Sequence, residues 1–272
     1  MAGVYSSKAA VCSQFGAAAD AYAVSQVHAK GESLAVLVEY VKPQTTWAVL
    51  DVATGAGHTA LALAPHVARV VATDLTPQMV AKTTELAAAR ALGNLETACA
   101  DAEQLPFASA SFDLVTCRLA FHHFSRPAEA VGEWVRVLKP GGVLGFTDNV
   151  SVSDPLAARY YNAYEALRDP SHHWVFPLAD LRAMFAAAGL QVSQIHQLSK
   201  EFEFHDWADR QRVSPAGKAQ LLHMMRHIPP ALQPLLSPRW EGDTLYFSLW
   251  EAVITAYKPS QTHFQTRKEI HS

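Results

Sequence analysis

Apolar residues follow two different spacings along the first part of the chain. In 31–42 they recur every three or four positions, which predicts an amphipathic helix ended by Pro43. In 47–52 they form a continuous run, which predicts a buried strand. A short turn with two glycines comes next, and a second apolar segment begins directly after it. The pattern therefore predicts a strand, a glycine turn and a helix in succession.

The alternation of strand and helix continues through the middle of the chain. Further strands are expected at 69–73, 95–100, 112–119 and 143–147. Helices are expected between them, beginning at Pro77 after a Thr76 cap and at Pro127, and ending near Gly93 and at the KPGG sequence 139–142. This alternation is typical of an α/β fold with a mostly parallel, doubly wound sheet. Ligands of such sheets bind beyond the carboxyl ends of the strands.

The second half of the chain departs from this rhythm. The segment 151–177 is rich in Tyr, His and Arg and predicts an inserted helical cap, to which 206–240 adds a second, proline-broken part. The remaining predicted elements are a helix at 178–189 and strands at 192–204 and 244–257. The tyrosines of the cap are expected either to line a pocket or to pack a small core of their own.

Composition narrows the class of protein. With 272 residues, half of them hydrophobic, the chain can bury one large core, and we expect a single domain over 1–258, with an N-terminal helical lid at 1–42 and a flexible tail at 259–272. A net charge of −3 gives no general attraction for nucleic acid. The three cysteines are scattered, and no apolar run has the length of a membrane span. We expect a cytoplasmic protein that acts on small molecules without binding nucleic acid or inserting into a membrane; its oligomeric state stays open.

Three acidic residues follow successive predicted strands. Asp51, Asp74 and Asp101 each lie at a carboxyl end, so they are expected to meet at one edge of the sheet. Gly55 and Gly57 allow the backbone to approach a ligand closely. A carboxylate at Asp51 would repel a pyrophosphate and attract an ammonium or sulfonium group, and S-adenosylmethionine carries both.

The other two acids suit the remaining parts of that molecule. Asp74 is expected to accept hydrogen bonds from the ribose hydroxyls, and Asp101 one from the adenine amino group. Leu75, Met79 and Leu105 offer apolar surface for the purine. The pattern therefore predicts a cofactor cleft along this edge of the sheet.

Five motifs between residues 47 and 150 carry a family resemblance. They are DxxxGxG at 51–57, TDL at 73–75, ADAEQLPF at 100–107, FDLVTCRLAFHHF at 112–124 and RVLKPGG at 136–142. Together they resemble the class I S-adenosylmethionine-dependent methyltransferases. The DVATGAG form and the histidine pair after the fourth strand are similar to the ubiquinone/menaquinone-type C-methyltransferases and their bacterial relatives.

The resemblance implies a fold, a cofactor and a set of binding residues. The fold is a Rossmann-like sheet of seven strands with an antiparallel last strand, and the cofactor is S-adenosylmethionine, with S-adenosylhomocysteine as product. By this resemblance, Gly55 and Gly57 border the methionine part of the cofactor. Asp101 and Ala102 contact the adenine, and the Arg118 backbone contacts the methionine end. The predicted binding residues are Tyr22, Asp51, Ala53, Thr54, Gly55, Gly57, Asp74, Leu75, Met79, Asp101, Ala102 and Arg118. Ala53 stands where the family has a glycine, and a methyl group there is compatible with the fold.

Other functions remain open at this point. The spacing Gly55-x-Gly57-x-x-Ala60 also satisfies the dinucleotide fingerprint, so a nicotinamide-dependent oxidoreductase is one alternative. A second is a protein that binds S-adenosylmethionine and runs other chemistry, such as a cyclisation, because fold does not fix chemistry. A nucleic-acid methyltransferase would need an Asn/Asp-Pro-Pro-aromatic motif after the fourth strand, where this chain has RLAF.

Three residues are candidates for catalysis. His122 follows the fourth strand, where the cleft should open toward an acceptor, while its neighbour His123 is expected to have a structural role. Asp169 and His172 flank a Pro-Ser turn in the cap. They predict either a carboxylate that orients a basic imidazole or an ordinary surface turn.

Two further groups of residues each allow two interpretations. Phe15, Tyr22, Ser25 and His28 are expected either to fold over the cofactor or to form an ordinary surface helix. His223 and His227 have the spacing of two metal ligands on one helix, but Met224 occupies the position of a zinc-protease glutamate. We predict no metal site.

Overall fold

A computed structural model describes residues 8–23 and 31–260, without the side chains of 17–23. Within these residues, one sheet contains the strands β1 (Ala48–Val52), β2 (Arg69–Asp74), β3 (Leu95–Cys99), β4 (Phe112–Arg118), β5 (Leu138–Asn149), β6 (Gln191–Glu203), β7 (Arg239–Glu241) and β8 (Thr244–Tyr257). Their order is β3-β2-β1-β4-β5-β8-β6, and β7 pairs with β8. The first five strands are mutually parallel, and β8 runs antiparallel to its neighbours.

Helices connect these strands. The described ones are α1 (Lys8–Ala23), α2 (Glu32–Val41), α3 (His58–Leu63), α4 (Pro77–Ala89), α5 (Pro127–Val137), α6 (Pro155–Arg168), α7 (Leu178–Ala187), α8 (Phe204–Asp209), α9 (Pro215–Arg226) and α10 (Gln233–Leu236). Several begin with proline at the first position, where its missing N–H leaves no hydrogen bond unmade. Asp154 also caps α6 through bonds from Leu156 N and Ala157 N. None of the described helices has the length and apolar character needed to cross a membrane.

The predicted fold class is confirmed, with two local differences. The KPGG sequence was expected to end the helix ahead of a strand at 143–147, but it lies inside β5, where Gly141 and Gly142 exchange backbone hydrogen bonds with Lys258. The short strand β7 was not predicted, and it forms a hairpin with β8 at the end of the proline-broken segment. In both places, pairing with β8 overrides what the local sequence indicates.

Separate apolar clusters cover the sheet and fill the cap. One lies under α5 and α7 and contains Trp134, Phe146 and Phe185. Another lies under α2 and α3 on the opposite face. The cap elements α6, α8 and α9 share a third cluster, in which the Tyr164 ring stacks on Trp207 with centroids 5.3 Å apart. Tyr164 therefore packs within the cap, which confirms for this residue the expectation that the cap tyrosines form a small core of their own.

Candidate active site

The turn between β1 and α3 bends sharply at the carboxyl edge of the sheet. Gly55 has a φ of 56°, and a Cβ there would meet open space. Gly57 has a φ of 84°, and a Cβ there would lie 2.6 Å from Thr83 Cγ2. Gly57 does not line the cleft, although we predicted it to contact the cofactor. A glycine is required at position 57 because the backbone there is left-handed and because the turn packs closely against α4.

Ala53 takes a left-handed conformation in the same turn. Its φ is 52°, and Leu119, just after β4, has a φ of 55°. Non-glycine residues rarely adopt such values, and they cluster where a site constrains the backbone. Both residues line the cleft. The alanine that replaces the family glycine is accommodated, but in a strained conformation.

Asp51 is buried at the end of β1, with 1% of its surface exposed. Its two carboxylate oxygens accept hydrogen bonds from the hydroxyls of Thr54 and Thr116, each at 2.6 Å. Burial raises the pKa of Asp51 to about 6, although these hydrogen bonds act in the opposite direction. A cation bound beside it would therefore favour the ionised carboxylate.

Asp74 joins two turns at the end of β2. One oxygen accepts a hydrogen bond from Gly55 N at 2.9 Å, and the other accepts one from Thr76 N at 2.8 Å. Burial raises the pKa of Asp74, while the backbone hydrogen bonds lower it. This carboxylate therefore shapes the glycine turn as well as facing the cleft.

Asp101 is linked to the N-terminal helix. Lys8 Nζ forms ion pairs with Asp101 and, at 2.6 Å, with Glu103. Glu103 also accepts a bond of 2.7 Å from Arg126 N and one of 3.0 Å from the Ser125 hydroxyl. Burial raises the pKa of Glu103, but these hydrogen bonds and Lys8 outweigh it and lower the pKa to about 2. Sequence reasoning missed Lys8 and Glu103, because the lysine is 93 positions from Asp101.

These elements enclose a cleft with about 1000 Å³ of empty space, including its open mouth. Ten of the predicted cofactor residues line it: Asp51, Ala53, Thr54, Gly55, Asp74, Leu75, Met79, Asp101, Ala102 and Arg118. Lys8, Val11 and Phe15 of α1 line it as well. The side chain of Tyr22, with Ser25 and His28, falls outside the described residues.

The residues of the cleft fit S-adenosylmethionine. Carboxylates at Asp51, Asp74 and Asp101 would repel a pyrophosphate, but they match an ammonium group, ribose hydroxyls and an adenine amino group. The absence of a side chain at Gly55 leaves space against the backbone. Arg118 Nε donates a hydrogen bond of 3.0 Å to the Thr59 hydroxyl, and both residues line the cleft.

A cluster of histidines lies beside the cleft, after β4. The backbone N–H of His122 donates a hydrogen bond of 2.9 Å to Asp148, and its ring Nδ1 lies 2.6 Å from the other oxygen of the same carboxylate. Burial lowers the pKa of His122, but Asp148 outweighs it, so the pKa is raised overall. His123 has the structural role expected of it, with Nδ1 3.0 Å from the Ser171 carbonyl oxygen. Burial and the neighbouring His122 lower the pKa of His123 to about 4.

The predicted pairing of Asp169 with His172 is wrong. Asp169 accepts hydrogen bonds from Ser171 N and from the Ser171 hydroxyl, whereas His172 Nε2 lies 2.8 Å from Asn162 Oδ1. Burial, followed by the neighbouring histidines, lowers the pKa of His172 to about 2. The turn of the alternative prediction is present, since His172 N donates a hydrogen bond of 3.0 Å to the Asp169 carbonyl oxygen, but it is buried and not at the surface. Both belong to a buried network that holds the 169–174 loop against the sheet.

Asp148 was missed as a functional candidate. It lies near the carboxyl end of β5 and is 2% exposed. It is thus a fourth acid at a strand end, and the pattern that identified Asp51, Asp74 and Asp101 could have found it. The register of β5 puts Asp148 next to the loop that carries His122.

The histidine pair of α9 lies away from this cluster. His227 Nδ1 is 2.8 Å from the His223 carbonyl oxygen, and both residues are exposed. Among the residues that the structure describes, no three His, Cys, Asp or Glu side chains are grouped to hold a metal ion.

Comparisons with known proteins agree with this geometry. Residues 50–146 match a family model described as a methyltransferase domain. The chain is 34% identical over 209 residues to the uncharacterized methyltransferase YcgJ of Bacillus subtilis, covering 77% of this chain and 83% of that protein. It is 36% identical over 165 residues to the demethylmenaquinone methyltransferase of Thermus thermophilus, covering 53% of this chain and 74% of that protein.

A crystal structure gives the same result for the fold. It is that of a candidate methyltransferase from Bacillus halodurans, which superposes with a TM-score of 0.80 at 36% identity. The match covers 84% of this chain and 99% of that one. With the acid-lined cleft and these relatives together, the chain belongs to the class I S-adenosylmethionine-dependent methyltransferase family.

Proposed function

We propose that the protein transfers the methyl group of S-adenosylmethionine to a small-molecule acceptor, at carbon, oxygen or nitrogen. The observation that carries this proposal is the meeting of three strand-end carboxylates in one cleft, which His123 also lines and whose neighbour in sequence, His122, pairs with Asp148. The first group of residues suits a cationic nucleoside. The second suits an acceptor that has to lose a proton.

Each carboxylate of the cleft has a role in this proposal. Asp74 accepts hydrogen bonds from the ribose hydroxyls, and Asp101 accepts one from the adenine amino group. Asp51 favours the positive charge at the methionine end, because a bound cation compensates the cost of its buried charge. Leu75 and Met79 supply apolar surface beside the purine.

Methyl transfer from a sulfonium is an in-line displacement, and the bound cofactor supplies the electrophilic methyl group. The protein's contribution is to hold the acceptor in line and to exclude water. In this proposal α1 contributes to that exclusion, because Lys8, Val11 and Phe15 border the cleft. A relative that acts on demethylmenaquinone supports a small organic acceptor over a nucleic acid.

Ligand-dependent thermal unfolding tests the proposal. S-adenosylhomocysteine at 100 times its dissociation constant should raise the free energy of unfolding by about 2.7 kcal/mol, whereas NAD should leave it unchanged. Stabilisation by NAD and not by S-adenosylhomocysteine would contradict the cofactor assignment. Binding of S-adenosylhomocysteine without methyl transfer to any of a broad metabolite panel would favour non-methylating chemistry in the same cleft.

A further inference from the structure

We propose that Lys8 and the cofactor compete for Asp101, because the lysine ammonium group pairs with the carboxylate that the adenine amino group has to reach. The cofactor then binds only by taking Asp101 from Lys8, so α1 sets the affinity of the cleft. This inference rests on the proposed function and adds a regulation of the same site. It is carried by the contacts of Lys8, by the packing of α1 and by the charges of the cleft.

Both oxygens of Asp101 have donors within the chain. Oδ2 pairs with Lys8 Nζ, and Oδ1 accepts a hydrogen bond of 3.0 Å from the backbone N–H of Glu103. Lys8 lines the cleft together with both acids, and its Nζ also lies 2.6 Å from a carboxylate oxygen of Glu103. An adenine amino group would have to share Oδ2 with the ammonium group, and two positively polarised donors at one oxygen repel each other. The two groups therefore compete.

Contacts along α1 hold Lys8 in this place. One turn further along the helix, Cys12 Sγ lies 3.7 Å from the Leu75 carbonyl oxygen. Gln14 Nε2 donates a hydrogen bond of 2.6 Å to Gln211 Oε1 in the cap, and α1 packs along α4. Lys8 is thus part of an anchored helix, so its position at Asp101 is supported by more than its own ion pairs.

The charges of the cleft act on Lys8 and on the cofactor alike. Four carboxylates line it, whereas only two of the described lysine and arginine side chains do, Lys8 and Arg118. Burial lowers the pKa of Lys8, but its hydrogen bonds to Asp101 and Glu103 outweigh this effect and raise the pKa, so the group is charged near pH 7. S-adenosylmethionine carries a net positive charge, so Lys8 also repels it.

Lys8 can keep an ion pair with Glu103 after Asp101 has bound the cofactor. The Glu103 side chain is 2% exposed and also accepts hydrogen bonds from Arg126 N and the Ser125 hydroxyl, so its position does not depend on Lys8. In the complex, Asp101 then binds the adenine, Glu103 binds Lys8, and α1 remains over the cleft. The apparent affinity is reduced by the fraction of molecules in which Asp101 is available.

Ligand affinities of three proteins test the competition. In calorimetric titration, Lys8→Met should bind S-adenosylhomocysteine about two- to fivefold more tightly than the wild type, the range expected from a partly exposed ion pair. Sinefungin, in which an amine carries the positive charge of the sulfonium, should gain by a larger factor because the repulsion by Lys8 is lost as well. Arg69→Met is the control, since it removes the same charge from an exposed pair with Glu96 at the start of β2. It should change neither affinity.

An analogue of the cofactor product tests whether Asp101 is the group for which they compete. S-inosylhomocysteine has a carbonyl oxygen in place of the adenine amino group, so it cannot donate to Asp101 but can accept a hydrogen bond from Lys8. Lys8→Met should therefore weaken its binding rather than tighten it.

Salt tests the same competition in the unaltered protein. Raising sodium chloride from about 0.05 M to about 0.5 M screens the ion pairs of Lys8. The affinity of the wild type for S-adenosylhomocysteine should therefore increase, and this increase should be absent in Lys8→Met. The measurement on the wild type keeps the test decisive if Lys8→Met folds poorly.

Three results would overturn the inference. They are an unchanged or lower affinity of folded Lys8→Met for S-adenosylhomocysteine, an equal gain in affinity for S-inosylhomocysteine, and a wild-type affinity that does not increase with salt. The first would make Lys8 a residue that secures the cofactor. If neither S-adenosylhomocysteine nor sinefungin bound to the wild type or to Lys8→Met, the proposed function itself would fail, and the inference with it.

Discussion

The cofactor cleft and the histidine cluster beside it are built in different ways. In the cleft, Asp51 and Asp74 bind groups at the carboxyl ends of the parallel strands themselves, such as Thr116 on β4 and Gly55 in the turn after β1. In the cluster, His123 binds the carbonyl of Ser171, 48 positions away. The acids of the cleft are thus held by the strands and turns of the sheet, whereas the contact of His123 with Ser171 forms only once the cap has packed against the sheet. The expected consequence is that cofactor binding and acceptor chemistry can be altered separately.

The largest expected effect is on cofactor affinity. Asp74→Ala should weaken S-adenosylhomocysteine binding about a hundredfold, because it removes charge-assisted bonds worth about 1.5 to 3 kcal/mol each. The free energy of unfolding should also fall by about 1 to 3 kcal/mol, since Gly55 N and Thr76 N lose their acceptor. Calorimetric titration and urea unfolding measure the two effects.

A matched control variant separates the effect on cofactor affinity from the effect on stability. Asp113 also accepts a backbone hydrogen bond, from Ala48 N, and pairs with Lys139, but it does not line the cleft. Asp113→Ala should therefore reduce stability and leave the affinity for S-adenosylhomocysteine unchanged. Unaltered affinity in Asp74→Ala would show that the strand-end acids do not hold the cofactor.

The same contrast explains how much the sequence could predict. The parallel sheet and the meeting of Asp51, Asp74 and Asp101 at one edge follow from a repeated local pattern of apolar strand, acid and turn. Ten of the twelve predicted cofactor residues line the cleft, and some of these, such as Ala102 and Arg118, came from the family resemblance. Asp148 obeys that pattern too and was overlooked. Lys8 could not have been found in this way, since only the packing of α1 brings it to Asp101.

The predicted pairing in the cap failed for a related physical reason. Asp169 and His172 are neighbours in sequence, but their side chains bind Ser171, Gln211 and Asn162 instead. Burial makes a partner obligatory for each polar group, and the partner that packing supplies need not be the nearest in sequence. The division into one domain, a lid and a flexible tail stays a prediction.

The second prediction concerns the glycine turn, in which we expect Gly57 to serve stability and Gly55 to serve cofactor binding. Gly57→Ala should lower the free energy of unfolding by about 2 to 3 kcal/mol, because it adds left-handed strain to a contact of 2.6 Å with Thr83. Gly55→Ala should cost only about 1 kcal/mol, since its Cβ meets open space. It should, however, reduce affinity for S-adenosylhomocysteine. Urea unfolding and calorimetry of both variants test this, and equal effects on affinity would contradict it.

The smallest expected effect is a pH dependence of cofactor binding. The pKa of Asp51 is raised to about 6 by burial, so binding of a cationic ligand has to be accompanied by loss of its proton below that pH. Affinity for S-adenosylhomocysteine should increase by up to about tenfold per unit from pH 5 to 6 and level off above. Asp51→Asn should remove the slope, and a slope that persists in this variant would assign it to another group.

The ionisation of Asp51 should change protein stability in the opposite direction to ligand affinity. Because the folded state keeps the Asp51 proton to higher pH than the unfolded chain does, this residue lowers the free energy of unfolding as the pH rises from about 4 to 6. A bound cation should offset that loss. The two regions of the site should therefore differ in pH response, with Asp51 governing binding and His122 governing turnover.

The most direct test of the account is a crystal structure with S-adenosylhomocysteine. The account predicts that the ribose hydroxyls bind Asp74, that the adenine amino group lies at Asp101, and that the sulfur lies at the end of the cleft lined by Ala120 and His123. A ligand bound outside this cleft, or one whose sulfur lies away from Ala120 and His123, would contradict it.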